Sequence, residues 1–96
     1  MKYRIVKTKH AKMTQGLLRL LSMLPSYYFD PCATKDQCRN IMRCIWQEAR
    51  ETKFLRRNNW EPLDTAYNIE ERGDGIFIES LAGKPYLEFT IEETND

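Results

Sequence analysis

The stretch spanning residues 66–93 constrains this chain more than any other. In three runs, 66–72, 76–81 and 86–93, apolar residues alternate with polar ones, and the breaks between them are Gly73-Asp74-Gly75 and Ala82-Gly83-Lys84-Pro85. A period of two marks strands with one buried face, and Gly and Asp tolerate the positive φ of tight hairpin turns. The stretch therefore predicts an antiparallel three-stranded meander. With Asp74-Gly75 and Gly83-Lys84 as two-residue loops, Tyr67, Ile69, Ile76, Ile78, Leu87, Phe89 and Ile91 share one face, which must lie under helices. The opposite face then carries Glu70, Phe77, Glu79, Tyr86 and Glu88, with Glu70 facing Glu79 and Glu79 facing Glu88. Like charges directly across a sheet are destabilising by up to about 1 kcal/mol per pair. That row needs either a neutralising neighbour, for which Lys2 and Arg4 are the candidates, or a basic partner.

The helices that cover the meander must come from the first two thirds of the chain. Residues 2–7 alternate as a short strand able to join either sheet edge, and Thr8 is a candidate helix cap. Met13, Leu17, Leu20, Leu21 and Leu24 recur at helical spacing, so a first helix is expected over roughly residues 9–24, ended by Pro25. A connector with three adjacent aromatics, Tyr27, Tyr28 and Phe29, follows, and one or two of these rings are expected to lie on the core. Thr34-Lys35-Asp36-Gln37 has the form of a capping box, which starts a second helix at Lys35. Cys38, Ile41, Met42, Ile45 and Ala49 form its apolar stripe, and the pattern extends to about Arg57, with Asn58 as a left-handed cap and Trp60-Glu61-Pro62-Leu63 as an extended linker. The outcome is one α+β domain over residues 1–96. It is a two-layer sandwich of order β-α-α-β-β-β, with two helices on one face of a mostly antiparallel four-stranded sheet.

Charge is segregated along the chain. Residues 1–57 hold 13 Lys and Arg against 4 Asp and Glu, whereas residues 58–96 hold 2 against 10, and the whole carries only +1. If the second helix runs to Arg57, then Arg39, Arg43, Trp46, Arg50, Lys53 and Arg57 follow one another at steps of three and four and make one cationic stripe. Such a stripe suits phosphates, with the Trp stacking on a base, or an acidic protein partner; the plainer reading is a solvated helix face.

Catalytic and metal chemistry is poorly represented. Cys32, Cys38 and Cys44 lack the short paired spacing of zinc ligands, and an odd, unframed set of thiols points to a reducing, cytoplasmic setting. His10 is the single histidine, no glycine-rich phosphate loop occurs, and residues 17–24 are too few to span a bilayer. No catalytic residue, metal or cofactor is expected. The order strand, two helices, three-stranded meander is similar to that of the RelE/ParE toxins, whose RelE branch cuts ribosome-bound messenger RNA. The likeness covers most of the chain in order and length. It departs at the later strands, where the family's catalysis leans on basic and aromatic side chains and this chain holds only Arg72 and Lys84 among many acids. The expectation is a small non-enzymatic module that binds a protein, an inhibitor or adaptor of the kind phages and mobile elements encode, through the basic stripe, the acidic face or both. Nucleic-acid binding by the basic stripe is the alternative, a RelE-like ribonuclease a lesser one, and a homodimer joining basic helix to acidic sheet is also compatible.

Overall fold

A computed structural model describes residues 1–95. The fold is α+β, with strands β1 (Lys2–Lys9), β2 (Lys53–Arg56), β3 (Asn59–Pro62), β4 (Tyr67–Arg72), β5 (Gly75–Ser80) and β6 (Pro85–Thr94), and helices α1 (Gln15–Met23) and α2 (Lys35–Glu51). Short 3-10 turns, Ser26–Phe29 and Leu63–Thr65, fill two of the connections. The main sheet has the order β1-β6-β5-β4 and is antiparallel throughout, so the first strand joins the β6 edge. The predicted four-stranded sheet and its order of elements are observed, with one addition: β2 and β3 form a separate hairpin.

The core is set by the alternation seen in the sequence. Tyr67, Ile69, Ile76, Ile78, Leu87 and Phe89 are buried on one sheet face, and Ile91 is half-buried against the same cluster. Ile5 of β1 joins them, and α2 lies across β1, β6 and β5, inserting Cys38, Met42, Ile45 and Ala49. The capping box forms as predicted: Thr34 Oγ1 accepts from the Gln37 backbone N–H, and Gln37 Oε1 accepts from the Thr34 N–H. Leu17, Leu20 and Leu24 bring α1 in beside α2, and Pro25 follows its last turn. Of the three connector aromatics, Phe29 stacks on Phe89 and Tyr28 is half-buried, while Tyr27 stays exposed.

Four expectations are corrected. First, α1 begins at Gln15 because Thr8 and Lys9 remain in β1, opposite Glu88 and Leu87; Thr14, not Thr8, takes the N-cap position, and its hydroxyl is hydrogen-bonded to the Tyr67 hydroxyl. Second, α2 stops at Glu51. The chain from Lys53 forms a hairpin in which Leu55 opposes Trp60, turning through Arg57 and Asn58 with φ of 50° and 67°. Two consecutive positive φ values define a type I′ turn, so Asn58 is left-handed as expected but within a hairpin, and Trp60-Glu61-Pro62 is strand.

Third, the first meander turn is Gly73-Asp74, with Arg72 opposite Gly75; positive φ at Gly73 alone is the type II′ pattern. Fourth, the second loop has three residues, 81–83, closed by the Gly83 N–H bond to the Ser80 carbonyl, and a bulge follows where Glu79 pairs with Pro85 and Ile78 with Leu87. Each change moves the register by two residues, which preserves the faces but exchanges the partners. Glu70 opposes Phe77, Glu79 opposes Asn68, and Glu88 opposes Phe77, so the row of directly facing glutamates does not exist.

Candidate partner-binding groove

The cationic stripe predicted on the second helix is divided by the end of α2. Lys53 and Arg57 belong to the β2–β3 hairpin and its turn, leaving Arg39, Arg43, Trp46 and Arg50 on the helix. These cations are engaged with neighbours. Arg39 contacts Asp36 at 2.6 Å and Asp74, in the β4–β5 turn, at 3.1 Å, with Lys35 a further 3.8 Å from Asp74. The Arg39 hydrogen bond holds the Asp74 carboxyl below the usual carboxylate range, and the same bond raises Arg39. Arg43 donates to Asn40 at 2.7 Å, and Arg50 lies over the half-buried Trp46 ring and 3.9 Å from Asp64. Much of this stripe therefore ties α2 to the acidic half of the chain.

The acidic face is partly neutralised from within. Arg72 donates to Glu70 and Glu79 at 2.7 Å each and lies over the Phe77 ring, so the guanidinium that spans the two acids comes from their own hairpin. His10 Nε2 is 3.2 Å from Glu88. Lys2 and Arg4 do not serve that role: they oppose Thr94 and Glu92, and Arg4 donates to the Thr94 hydroxyl. Tyr86 stands edge-on to the buried Tyr67, which places its ring against the core margin beside the bulge, with Lys84 above it. Arg72 and Lys84, the two cations of the later strands, are thus both occupied within the fold.

A surface that sequence reasoning missed lies between α1 and the hairpin. Leu18, Leu55 and Trp60 are 53%, 48% and 57% exposed and line one cavity of about 370 Å³. Their exposure follows from the local folds. Leu17 and Leu20 use the inward face of α1, which leaves Leu18, Arg19 and Ser22 on its outer side. On the hairpin, Phe54 turns toward Gly16 of α1, so its strand neighbour Leu55 and the opposed Trp60 fall on the other face. Gly16 allows this approach, since a Cβ there would stand 3.1 Å from both Phe54 and the buried Leu63. The Arg19 guanidinium lies 4.9 Å from the Trp60 ring centroid. Met23, also exposed, lines an adjoining cavity with Arg19, Glu48, Glu51 and Lys53.

The groove was hidden because residues 53–57 also continue the three-and-four helical spacing. A usable signal was present nonetheless: Arg57-Asn58 sits between two four-residue runs, Lys53-Phe54-Leu55-Arg56 and Asn59-Trp60-Glu61-Pro62, as a two-residue hairpin turn requires. Cys38 is buried in the core, Cys44 is exposed, and burial, with Cys32 adding to it, pushes the Cys38 thiol up to about 11. Among the described residues no helix is long and apolar enough to cross a membrane. No protein-family model, curated protein or solved structure matches the chain.

Proposed function

We propose that the protein is a binding module, an inhibitor or adaptor, whose partner-recognition surface is the groove between α1 and the β2–β3 hairpin. One observation carries this reading: Leu18, Leu55 and Trp60, three large apolar side chains about half exposed, converge on a single cavity. Scattered apolar residues are normal on a surface, whereas a contiguous concave patch marks an interaction site. Exposed Trp in such a setting is the kind of residue that carries binding energy when a partner excludes water from it. The cavity's lining of apolar side chains, Gln15, Arg19 and Ser22 is suited to holding a partner. The basic stripe and acidic face remain secondary surfaces, because Arg39 and Arg50 of the one and Glu70 and Glu79 of the other already meet counter-charges in the fold.

The test is quantitative capture of partners from the source cell by the wild-type chain, by Trp60→Ala and Leu18→Asp, and by Arg43→Glu on the far helix surface. A partner lost with both groove variants and kept with Arg43→Glu supports the reading. A partner lost only with Arg43→Glu returns the function to the helix stripe. Nucleic-acid binding is the second reading, favoured by the exposed Trp60 ring beside Arg19 and the hairpin cations. It requires a steeply salt-dependent mobility shift with single-stranded RNA or DNA that Trp60→Ala abolishes.

A further inference from the structure

We infer that Cys32 and Cys38 form a reversible disulfide when a peroxide reaches the protein, Cys32 being the thiol that is oxidised and Cys38 the one that resolves it. The start of α2 builds the pair. Thr34 is the N-cap, so Cys32 stands two residues before it and Cys38 is the fourth residue of the helix. The capping box folds the approaching chain back over that first turn, with the Ala33 and Thr34 amides both donating to Gln37 Oε1 at 2.9 and 3.3 Å. A second constraint comes from β1, because Tyr3 and Cys32 exchange backbone hydrogen bonds of 2.9 and 2.6 Å. Held in this way, Cys32 packs against the core cluster, and its thiol is hydrogen-bonded to that of Cys38. Thiols already in contact meet the geometric demand of a disulfide, which distant or diverging cysteines meet only by moving the backbone.

The two thiols differ in the way the two roles require. Cys32 is half-buried and reachable from solvent, whereas Cys38 is fully buried. The Cys32 sulfur attacks one oxygen of hydrogen peroxide and the O–O bond breaks. Cys32 becomes a sulfenic acid, and its thiol proton leaves with the departing hydroxide as water. The Cys38 sulfur then attacks the Cys32 sulfur, the S–O bond breaks, and the Cys38 proton goes to the departing oxygen as a second water. Two thiols and one peroxide thus give one disulfide and two waters, and the two electrons lost by the sulfurs are gained by the peroxide. Cys44 is a built-in control, because it is exposed farther along α2 and its thiol meets the Tyr28 hydroxyl. The bridge also has a mechanical consequence. It fastens the residue that closes the outer edge of β1 to α2, and so restrains the Tyr3–Cys32 pairing.

The test treats the reduced, folded chain with equimolar hydrogen peroxide and maps the products by mass spectrometry of unreduced peptides. The expected main product is an intramolecular Cys32–Cys38 bridge that reduced glutathione reopens, with amide exchange at Tyr3 slowed by about tenfold or more in the bridged form. Cys44→Ser should still form the bridge. Cys38→Ala should instead leave a Cys32 sulfenic acid that dimedone traps. Oxidation of Cys32 or Cys44 that leaves Cys38 reduced, a bridge that includes Cys44, or a Cys32–Cys38 bridge that forms only in urea overturns the inference. A bridge that glutathione cannot reopen overturns its reversibility, and unchanged exchange at Tyr3 overturns the restraint on β1. Should Cys38→Ala lose its helical circular dichroism, the wild-type and Cys44→Ser maps decide between the same outcomes.

Discussion

Gly16→Ala tests the contact that builds the groove. In a helix, Ala is favoured over Gly by up to about 1 kcal/mol, so an α1 that merely lay nearby would be stabilised. Here the added methyl would stand 3.1 Å from Leu63 Cδ2 and 3.1 and 3.2 Å from two Phe54 ring carbons. Leu63 is fully buried and has no room to retreat; Phe54 is half-buried and must give, carrying the hairpin outward. Overpacking of this kind costs about 1–3 kcal/mol, which outweighs the helix gain and leaves a net loss of up to about 2 kcal/mol. Urea unfolding of Gly16→Ala, Phe54→Ala and the double variant gives the coupling. The penalty should shrink by about 0.5 kcal/mol or more when Phe54 is already Ala, the range in which touching residues couple. An intact-background Gly16→Ala that stabilises the protein by about 1 kcal/mol would refute the close α1–hairpin packing, and with it the shape of the groove.

Two nearby glycines separate strain from crowding. Gly73→Ala strains a φ of 59° in open space and should be relieved by Gly73→Asn, whereas Gly75→Ala drives a methyl to 2.8 Å from the Phe89 carbonyl oxygen and should cost about 1–3 kcal/mol with no rescue by Asn, both read by urea unfolding. Replacing Arg57-Asn58 by Asn-Gly should stabilise the hairpin by about 1 kcal/mol in thermal unfolding, because both turn positions take positive φ. Because Arg39 lowers Asp74, the unfolded chain takes up that proton first on acidification. Asp74 thus contributes stability above its ordinary value of 3.8 and loses it as pH falls through the lowered value, and the stability difference between wild type and Asp74→Asn should vanish there. With its thiol pushed up to about 11 by burial, Cys38 should resist iodoacetamide at pH about 8 until the protein unfolds, while exposed Cys44 alkylates first, as mapped by peptide mass spectrometry.

How far the fold could be read from residues depended on the range of the forces involved. Thr34 and Gln37 satisfy each other within one turn, so the start of α2 was readable locally. The end of α2 was not, because Lys53, Phe54 and Leu55 fit a helix or a strand equally well by spacing. What tips them is the Leu55–Trp60 pairing and the seat of Phe54 against Gly16, contacts between distant segments. The candidate groove depended wholly on that choice. Its hairpin wall, Leu55 and Trp60, reads as exposed helix and linker until the hairpin exists, and Leu18 is then one more surface residue on α1.

The meander shows the division most clearly. Sequence alone determined which side chains of β4, β5 and β6 are buried, because alternation with period two survives any register error of two residues, and the hydrophobic effect acts on the whole face at once. It did not determine which residues stand opposite one another. That was decided by the type II′ turn at Gly73-Asp74, the three-residue loop over 81–83 and the bulge after it, each set by backbone geometry that only the assembled sheet selects. Charge pairing follows register, so the tertiary structure placed Arg72 between Glu70 and Glu79, turned Tyr86 to Tyr67, and set Arg19 over the Trp60 ring.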